Sequence, residues 1–568
     1  MNDIRRTILW VIFGFSMVLL WDQWQIHNGN KATFFPTPTP PAKVAADVAS
    51  AAPSAAGVPT AVVPSSQAAV PLVEARAASK ESVELETDVL KLSFDTEGGS
   101  LSRVELLNHL DEHKPGSNVV LLDDSKDRIY LAQTGLISSV AGVALPTHKT
   151  PMTVRPGIRK LKDGTNELSV TFESATQNGV KLVKTYTIQR GDYHMAVKHD
   201  IVNASTQEVS PQLYFQLVRD GNKLAGESSF YSTFTGPAVY TAAQKYQKVE
   251  FADIKKKKFD IEKQSSTGYI AMVQHYFASA WILPDGMNRN ISMDAVDIGA
   301  SMADCCYRAT LIAPLETIKP GQTVSVNATL FAGPQEENKL EALYPGLELV
   351  KDYGWLTILA KPLFWLLDQL NSILKNWGWS IVALVVLLKA GFYWLNAHAY
   401  QSMAKMKAIN PRIMDMRERL KDNPQQMQME MMKIYREEKV NPMGGCLPIA
   451  IQIPVFIALY WVLLSTVEIR NAPWVGWIQD LSAPDPYFIL PLVMTLTTLL
   501  QTALNPAPPD PMQAKMMWIM PLAFSVMFFF FPAGLVLYWI TNNVLSIAQQ
   551  WVINVRMGVP PQFNMPKF

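Results

Sequence analysis

The chain has 568 residues, of which 49% are hydrophobic and 17% charged, and its net charge is +1. That length allows more than one domain, and so apolar a balance excludes an ordinary soluble protein. No basic stripe with interleaved aromatics stands out, which leaves specific nucleic acid binding without support.

Residues 1–28 start with Arg5 and Arg6 and continue in an uncharged run from Thr7 to Trp21. Asp22-Gln23-Trp24-Gln25 follows without a small-x-small cleavage site, so an uncleaved transmembrane anchor is expected rather than a secretory signal. The arginines keep its N-terminus in the cytoplasm by the positive-inside rule. Residues 29–80 are Ala, Pro, Val and Ser with no sustained period, and read as a linker.

From 81 to 345 the pattern becomes short alternating runs such as Leu90, Leu92, Phe94 and Leu168, Val170, Phe172. Turn signals, among them Glu97-Gly98-Gly99 and Lys319-Pro320-Gly321, separate the runs. Period-2 alternation of this kind predicts a large antiparallel β-sandwich, outside the membrane because it follows the first span. Residues 353–375 place Trp355, Ile358, Leu359, Leu363, Leu366 and Leu370 at helical spacing, interrupted by Lys361 and Asp368. They predict an amphipathic helix lying in the membrane interface.

Five hydrophobic segments follow, at 377–397, 445–465, 487–504, 515–531 and 533–552, each near the length that crosses a bilayer. With the anchor they make six spans. The loop 398–441 carries Lys405, Lys407, Arg412, Arg417, Arg419, Lys421, Lys433, Arg436 and Lys439, whereas 466–486 carries Arg470 alone. The first loop is therefore expected in the cytoplasm and the second outside, which places 505–514 and the tail 553–568 in the cytoplasm as well.

The three cysteines make no disulfide framework; Cys305 and Cys306 are adjacent, so bystander thiols and a vicinal bridge both remain open. No metal site is expected, since His109 and His113 fall in a turn and His194 and His199 face opposite sides of a strand. No nucleophile elbow or phosphate loop is present.

Lys389 lies inside the 377–397 span, where a cation costs about 2.5–3.5 kcal/mol on insertion scales. On a continuous helix Tyr393, Asn396 and Tyr400 share its face. The last span offers a second stripe of Tyr538, Thr541, Asn542, Ser546 and Gln549, and the third span contributes Gln452. These residues predict a hydrated cavity open to the cytoplasm and closed outside, able to draw in a polar or acidic polypeptide. The alternative is an internal hydrogen-bonded pair that holds the bundle together. The loop 398–441 reads as a helical hairpin whose methionines, including Met403, Met406, Met427 and Met431, form an interhelical core or an adaptable docking surface.

The motifs KVNPMGGCLPIAIQIPVF (439–456), DLSAPDPYFILP (480–491), DPMQAKMM (510–517) and FPAGLVLYWITNN (531–543) closely resemble the YidC family of bacterial membrane-protein insertases. The resemblance implies a periplasmic β-supersandwich before a five-helix core in the bacterial inner membrane. It implies a substrate groove holding Lys389 beside Tyr538 and Trp539. It also implies a hydrophobic slide of Ile453, Phe456, Leu459 and Tyr460, joined by Phe528. The family usually carries Arg at the position of Lys389, Thr at Val385 and Tyr at Trp539. The implied activity is cofactor-free insertion of nascent membrane proteins, alone or beside the Sec translocon, with the translating ribosome and membrane lipids as further partners. A channel and a carbohydrate enzyme on the sandwich are the rival readings. The first needs a continuous polar path and the second a cleft of clustered acids and histidines, and the sequence suggests neither.

Overall fold

A computed structural model describes residues 81–568 except 112–113, 115, 141, 224–232, 297–304, 421–422, 439–446, 506–510, 557, 559–562 and 564–568. The expected anchor (1–28) and linker (29–80) lie outside the described residues, as do the start of the 439–456 motif and half of the 505–514 loop. Two compact units divide the chain near Lys351.

The first unit is built from two antiparallel sheets, each nine-stranded among the described residues. One sheet centres on Pro211–Arg219, which pairs with Ile129–Ser138 and Tyr307–Pro314. The other runs through Phe277–Ile282, Thr323–Pro334, His194–Asn203 and Val180–Gln189. Alternation explains the outer strands: in Glu167–Ser174, Leu168, Val170 and Phe172 turn inward and are almost fully buried. Pro211–Arg219 is buried at every residue, as a central strand covered on both faces must be. Polar groups are matched across the sandwich: Tyr130 Oη donates to Met272 O at 3.0 Å and Trp281 Nε1 to Gln216 O at 3.2 Å.

Gly98 turns the chain with φ +73°, and a Cβ there would lie 2.2 Å from the carbonyl oxygen of His148, so only glycine fits. Two short helices, α1 (Phe251–Lys256) and α2 (Glu337–Leu343), complete the unit. Cys305 and Cys306 are bridged, and Cys306 packs with Ile129, Leu131 and Val218.

The second unit is helical: α3 (Thr357–Leu374), α4 (Trp377–Gly391), α5 (Tyr393–Arg419), α6 (Pro424–Glu437), α7 (Leu447–Ser465), α8 (Ile489–Leu504), α9 (Pro511–Met527) and α10 (Ala533–Arg556). Helix α10 packs against α4, α5 and α8, while α3 packs on α4 and α7. On α3, Ala360, Phe364 and Leu367 are buried, whereas Ile358, Trp365 and Ile373 stand exposed.

The continuous 377–397 helix expected from the sequence is corrected by the structure. It stops at Gly391, and α4 and α5 meet at Phe392 with a bend of 68°. Glycine is the weak point, with about 1 kcal/mol less helix propensity than alanine. Beyond the break, the carbonyl of Tyr393 accepts from Gln549 Nε2 on α10 at 3.4 Å. Among the described residues no single helix is long and apolar enough to cross a membrane; α4 and the first half of α5 reach that length only as a bent pair.

Candidate functional site: a polar pocket around Lys389

Four helices, α4, α5, α7 and α10, assemble the pocket. Helix α4 starts with Asn376, whose side chain accepts from Trp379 N at 3.0 Å and satisfies one of the free amides of the first turn. Thirteen residues later, about 20 Å along the axis, it presents Lys389. Helix α7 brings Gln452 and Val455, and α10 brings Tyr538 and Asn542. With Val385, Leu388, Phe392, Leu395 and Asn396 they line a pocket of about 420 Å³ of empty space, its mouth included.

The polar groups form one chain. Lys389 Nζ donates to Ser546 Oγ at 2.7 Å, and Ser546 Oγ donates to the carbonyl of Asn542 at 2.7 Å. The side chain of Asn542 accepts from Gln452 Nε2 at 3.0 Å. Among the described residues no carboxylate pairs with Lys389. A neutral hydroxyl orients the Lys389 amine without forming an ion pair with it.

Five of the expected groove residues converge here: Lys389, Asn396, Gln452, Tyr538 and Asn542. Tyr393 does not; it lies past the bend, 47% exposed. The i, i+4, i+7 stripe assumed an unbroken helix, and the break turns Tyr393 away. Trp539 packs instead against Phe456 and Phe528, with ring centroids 4.3 and 4.7 Å apart. Phe456 also lies 5.8 Å from the Tyr538 ring, and Tyr460 and Phe528 both reach Phe531. Phe456, Phe528 and Tyr460 are therefore interlocked side chains, Leu459 is fully buried, and Ile453 is half exposed.

A second polar seam was not anticipated. Asn543 Nδ2 donates to Thr498 Oγ1 at 2.9 Å, and seven residues on, Gln550 Nε2 reaches Leu504 O at 3.4 Å, joining α10 to α8. The seven-residue spacing was present in the sequence, but a threonine within a helix gives no sign of accepting from a neighbouring helix.

In the hairpin, Ile409, Ile413, Met416 and Ile434 form the buried core between α5 and α6, with Met406, Met427 and Met431 packed at its edge. Met403 is half-buried on α5. The exposed methionines are Met414, Met429 and Met432; Met429 and Met432 line a shallow hollow with Lys433, Arg436 and Glu437.

A family model described as YidC periplasmic domain matches residues 82–366, and one described as 60Kd inner membrane protein matches residues 369–559. The chain is 54% identical over 566 residues to the membrane protein insertase YidC of Cupriavidus metallidurans, covering 98% of each. It is 49% identical over 575 residues to that of a Janthinobacterium species, covering 98% of this chain and 100% of the relative. Among solved structures, one described as an active YidC insertase with its first transmembrane domain resolved covers 84% of this chain and 92% of its own. The two are 19% identical, with a TM-score of 0.38.

Proposed function

The chain belongs to the YidC family of membrane protein insertases, with a periplasmic domain of β-sheets and a helical region beyond it, and we propose that it inserts nascent membrane proteins through the Lys389 pocket. The observation that carries this reading is an ammonium held among polar side chains inside an apolar bundle, with a hydroxyl and no carboxylate as its partner among the described residues. Such a group favours acidic or polar polypeptide and lowers the cost of bringing it below the lipid surface. The same site shortens the path that polypeptide must still cross.

In this reading the anchor and the five later hydrophobic segments are six spans, the N-terminus and the α5–α6 hairpin are cytoplasmic, and the pocket opens towards the cytoplasm. Beyond the pocket on α4, Ile381 and Leu384 are buried, which supports a blind groove rather than a through-channel. The half-exposed Ile453, beside the Phe456, Trp539 and Phe528 rings, gives the following apolar segment a surface on which to leave. Work beside the Sec translocon, delivery from the translating ribosome and contact with lipids belong to the same proposal.

Site-specific crosslinking from positions 389, 456 and 538 to a ribosome-bound single-span protein tests it. Adducts at all three positions are expected; adducts confined to exposed loop positions would refute the groove.

A further inference from the structure

At the outer ends of α4, α7, α8 and α10, residues 472–485 form a compact cap. The cap is closed on itself by Trp474 N to Ile478 O at 3.0 Å and Leu481 N to Ala472 O at 3.1 Å. It is tied to three helix starts. Ala533 N and Gly534 N of α10 donate to Ala483 O and Leu481 O, both at 2.8 Å. Asn376 Nδ2 donates to Pro473 O at 3.2 Å, and the Trp474 ring lies against Gly378 of α4, where any Cβ would lie 2.2 Å from it.

The third tie is Asp485, whose side chain is 1% exposed. Its Oδ1 accepts from Trp477 Nε1 at 3.0 Å and Tyr487 N at 2.9 Å, and its Oδ2 accepts from Leu490 N at 2.7 Å in the first turn of α8. One carboxylate thus joins the cap's indole to a helix start. Hydrogen bonds to a charged acceptor are the strong ones, and the positive end of the α8 dipole adds to them. Below the cap, Leu463, Ile381, Leu384 and Leu535 are buried with Leu481.

We propose that Asp485 is a positioning residue for insertion: it holds the 472–485 cap shut over the outer ends of α4, α8 and α10, so that the Lys389 pocket is reached from one side only. The proposal rests on the reading of that pocket as open to the cytoplasm. In physical terms, two requirements conflict. A pocket that admits water and a charged polypeptide from one face must not leak ions through the other, and the dry layer under Leu481 seals only while the cap stays pressed on it.

The test places a single cysteine at the pocket-lining position Val455 in a chain whose three native cysteines are replaced by alanine, and follows its reaction with a membrane-impermeant maleimide. With Asp485 intact, labelling is expected from the cytoplasmic side of inverted vesicles and not from the outer side of spheroplasts. Absence of cytoplasmic labelling would refute the open pocket itself, not the cap. Asp485→Ala is expected to raise outer-side labelling at least tenfold while cytoplasmic labelling stays unchanged. Asp485→Asn, which keeps one acceptor for the indole, should fall between. Outer-side labelling that stays at the level of the intact cap would overturn the proposal. If Asp485→Ala does not accumulate, Trp477→Phe and Gly534→Val decide by the same readout. The first removes one donor to the carboxylate. The second pushes on Leu481 O, which would lie 3.1 Å from the new Cβ. Unchanged outer-side labelling in both overturns it equally.

Discussion

Lys389 Nζ and Asn542 O are joined through a single hydroxyl, Ser546 Oγ, which accepts from the first and donates to the second at 2.7 Å each. The Lys389 amine is therefore steered by α10 through a neutral hydroxyl, which separates its position from its electrostatics.

That separation can be measured at two residues. Lys389→Ala should lower insertion of a substrate with an acidic N-terminal tail at least tenfold, while Lys389→Arg keeps it within about threefold, since arginine holds its charge and adds donors. Ser546→Ala removes the steering hydroxyl, which also bonds the Tyr400 side chain, at a cost of about 1 kcal/mol per hydrogen bond, and should leave insertion within about fivefold. Pulse labelling with protease protection of the translocated tail checks all three; equal losses in Lys389→Ala and Ser546→Ala would point to packing, not charge.

The methionines divide by position. Met427→Ser and Met431→Ser remove apolar contact with the Ile409, Ile413 and Ile434 core, and each is expected to destabilise the hairpin by about 1–3 kcal/mol. Met429→Ser and Met432→Ser lie on the exposed face and should leave hairpin stability within about 0.5 kcal/mol. If that face docks emerging apolar segments, the same pair should halve crosslinking of a nascent chain to the hairpin. Limited proteolysis between α5 and α6 reads the first effect and the crosslink reads the second.

The sandwich has a pH dependence of definite sign. Lys184 is fully buried, donating from Nζ to Gly98 O at 2.6 Å and Thr134 O at 2.7 Å, and burial pushes its pKa down to about 7. His148, buried near Lys149, Lys184 and Arg308, and His199, buried near Lys184, are each pushed down to about 3. Unfolded, these groups return to about 10.5 for lysine and about 6.5 for histidine, so the unfolded chain binds more protons in both windows. Stability contributed by these groups therefore rises with pH, through about 3–6.5 for the histidines and about 7–10.5 for Lys184. Urea unfolding of the full chain in micelles, followed by the β-sheet circular dichroism signal, should show Lys184→Met flattening the upper window. An unchanged slope between pH 7 and 10 would contradict the assignment.

Much of the sandwich was legible because a strand's alternation is written in consecutive residues: Leu168, Val170 and Phe172 face inward wherever the strand goes. The same alternation puts Lys184 on the inward face of Val180–Gln189, but the two carbonyls that receive it come from residues 50 and 86 positions away. At the pocket, an isolated cation in an apolar run marked Lys389, and the spacing along α10 marked Asn542 and Ser546. The bend at Phe392 was not legible, because a glycine permits a break without requiring one.

From the sequence alone came the local periods, the isolated cation in an apolar run and the family motifs, all of which depend on covalent neighbours and therefore survive without knowledge of the fold. The tertiary structure decided that Ser546 receives Lys389, that Tyr393 turns away from the pocket, that Met427 and Met431 face a core while Met429 and Met432 do not, and that Asp485 joins a cap to a helix start. Each of those outcomes depends on which surfaces meet across long stretches of chain, and packing of whole elements, not spacing within one, determines that.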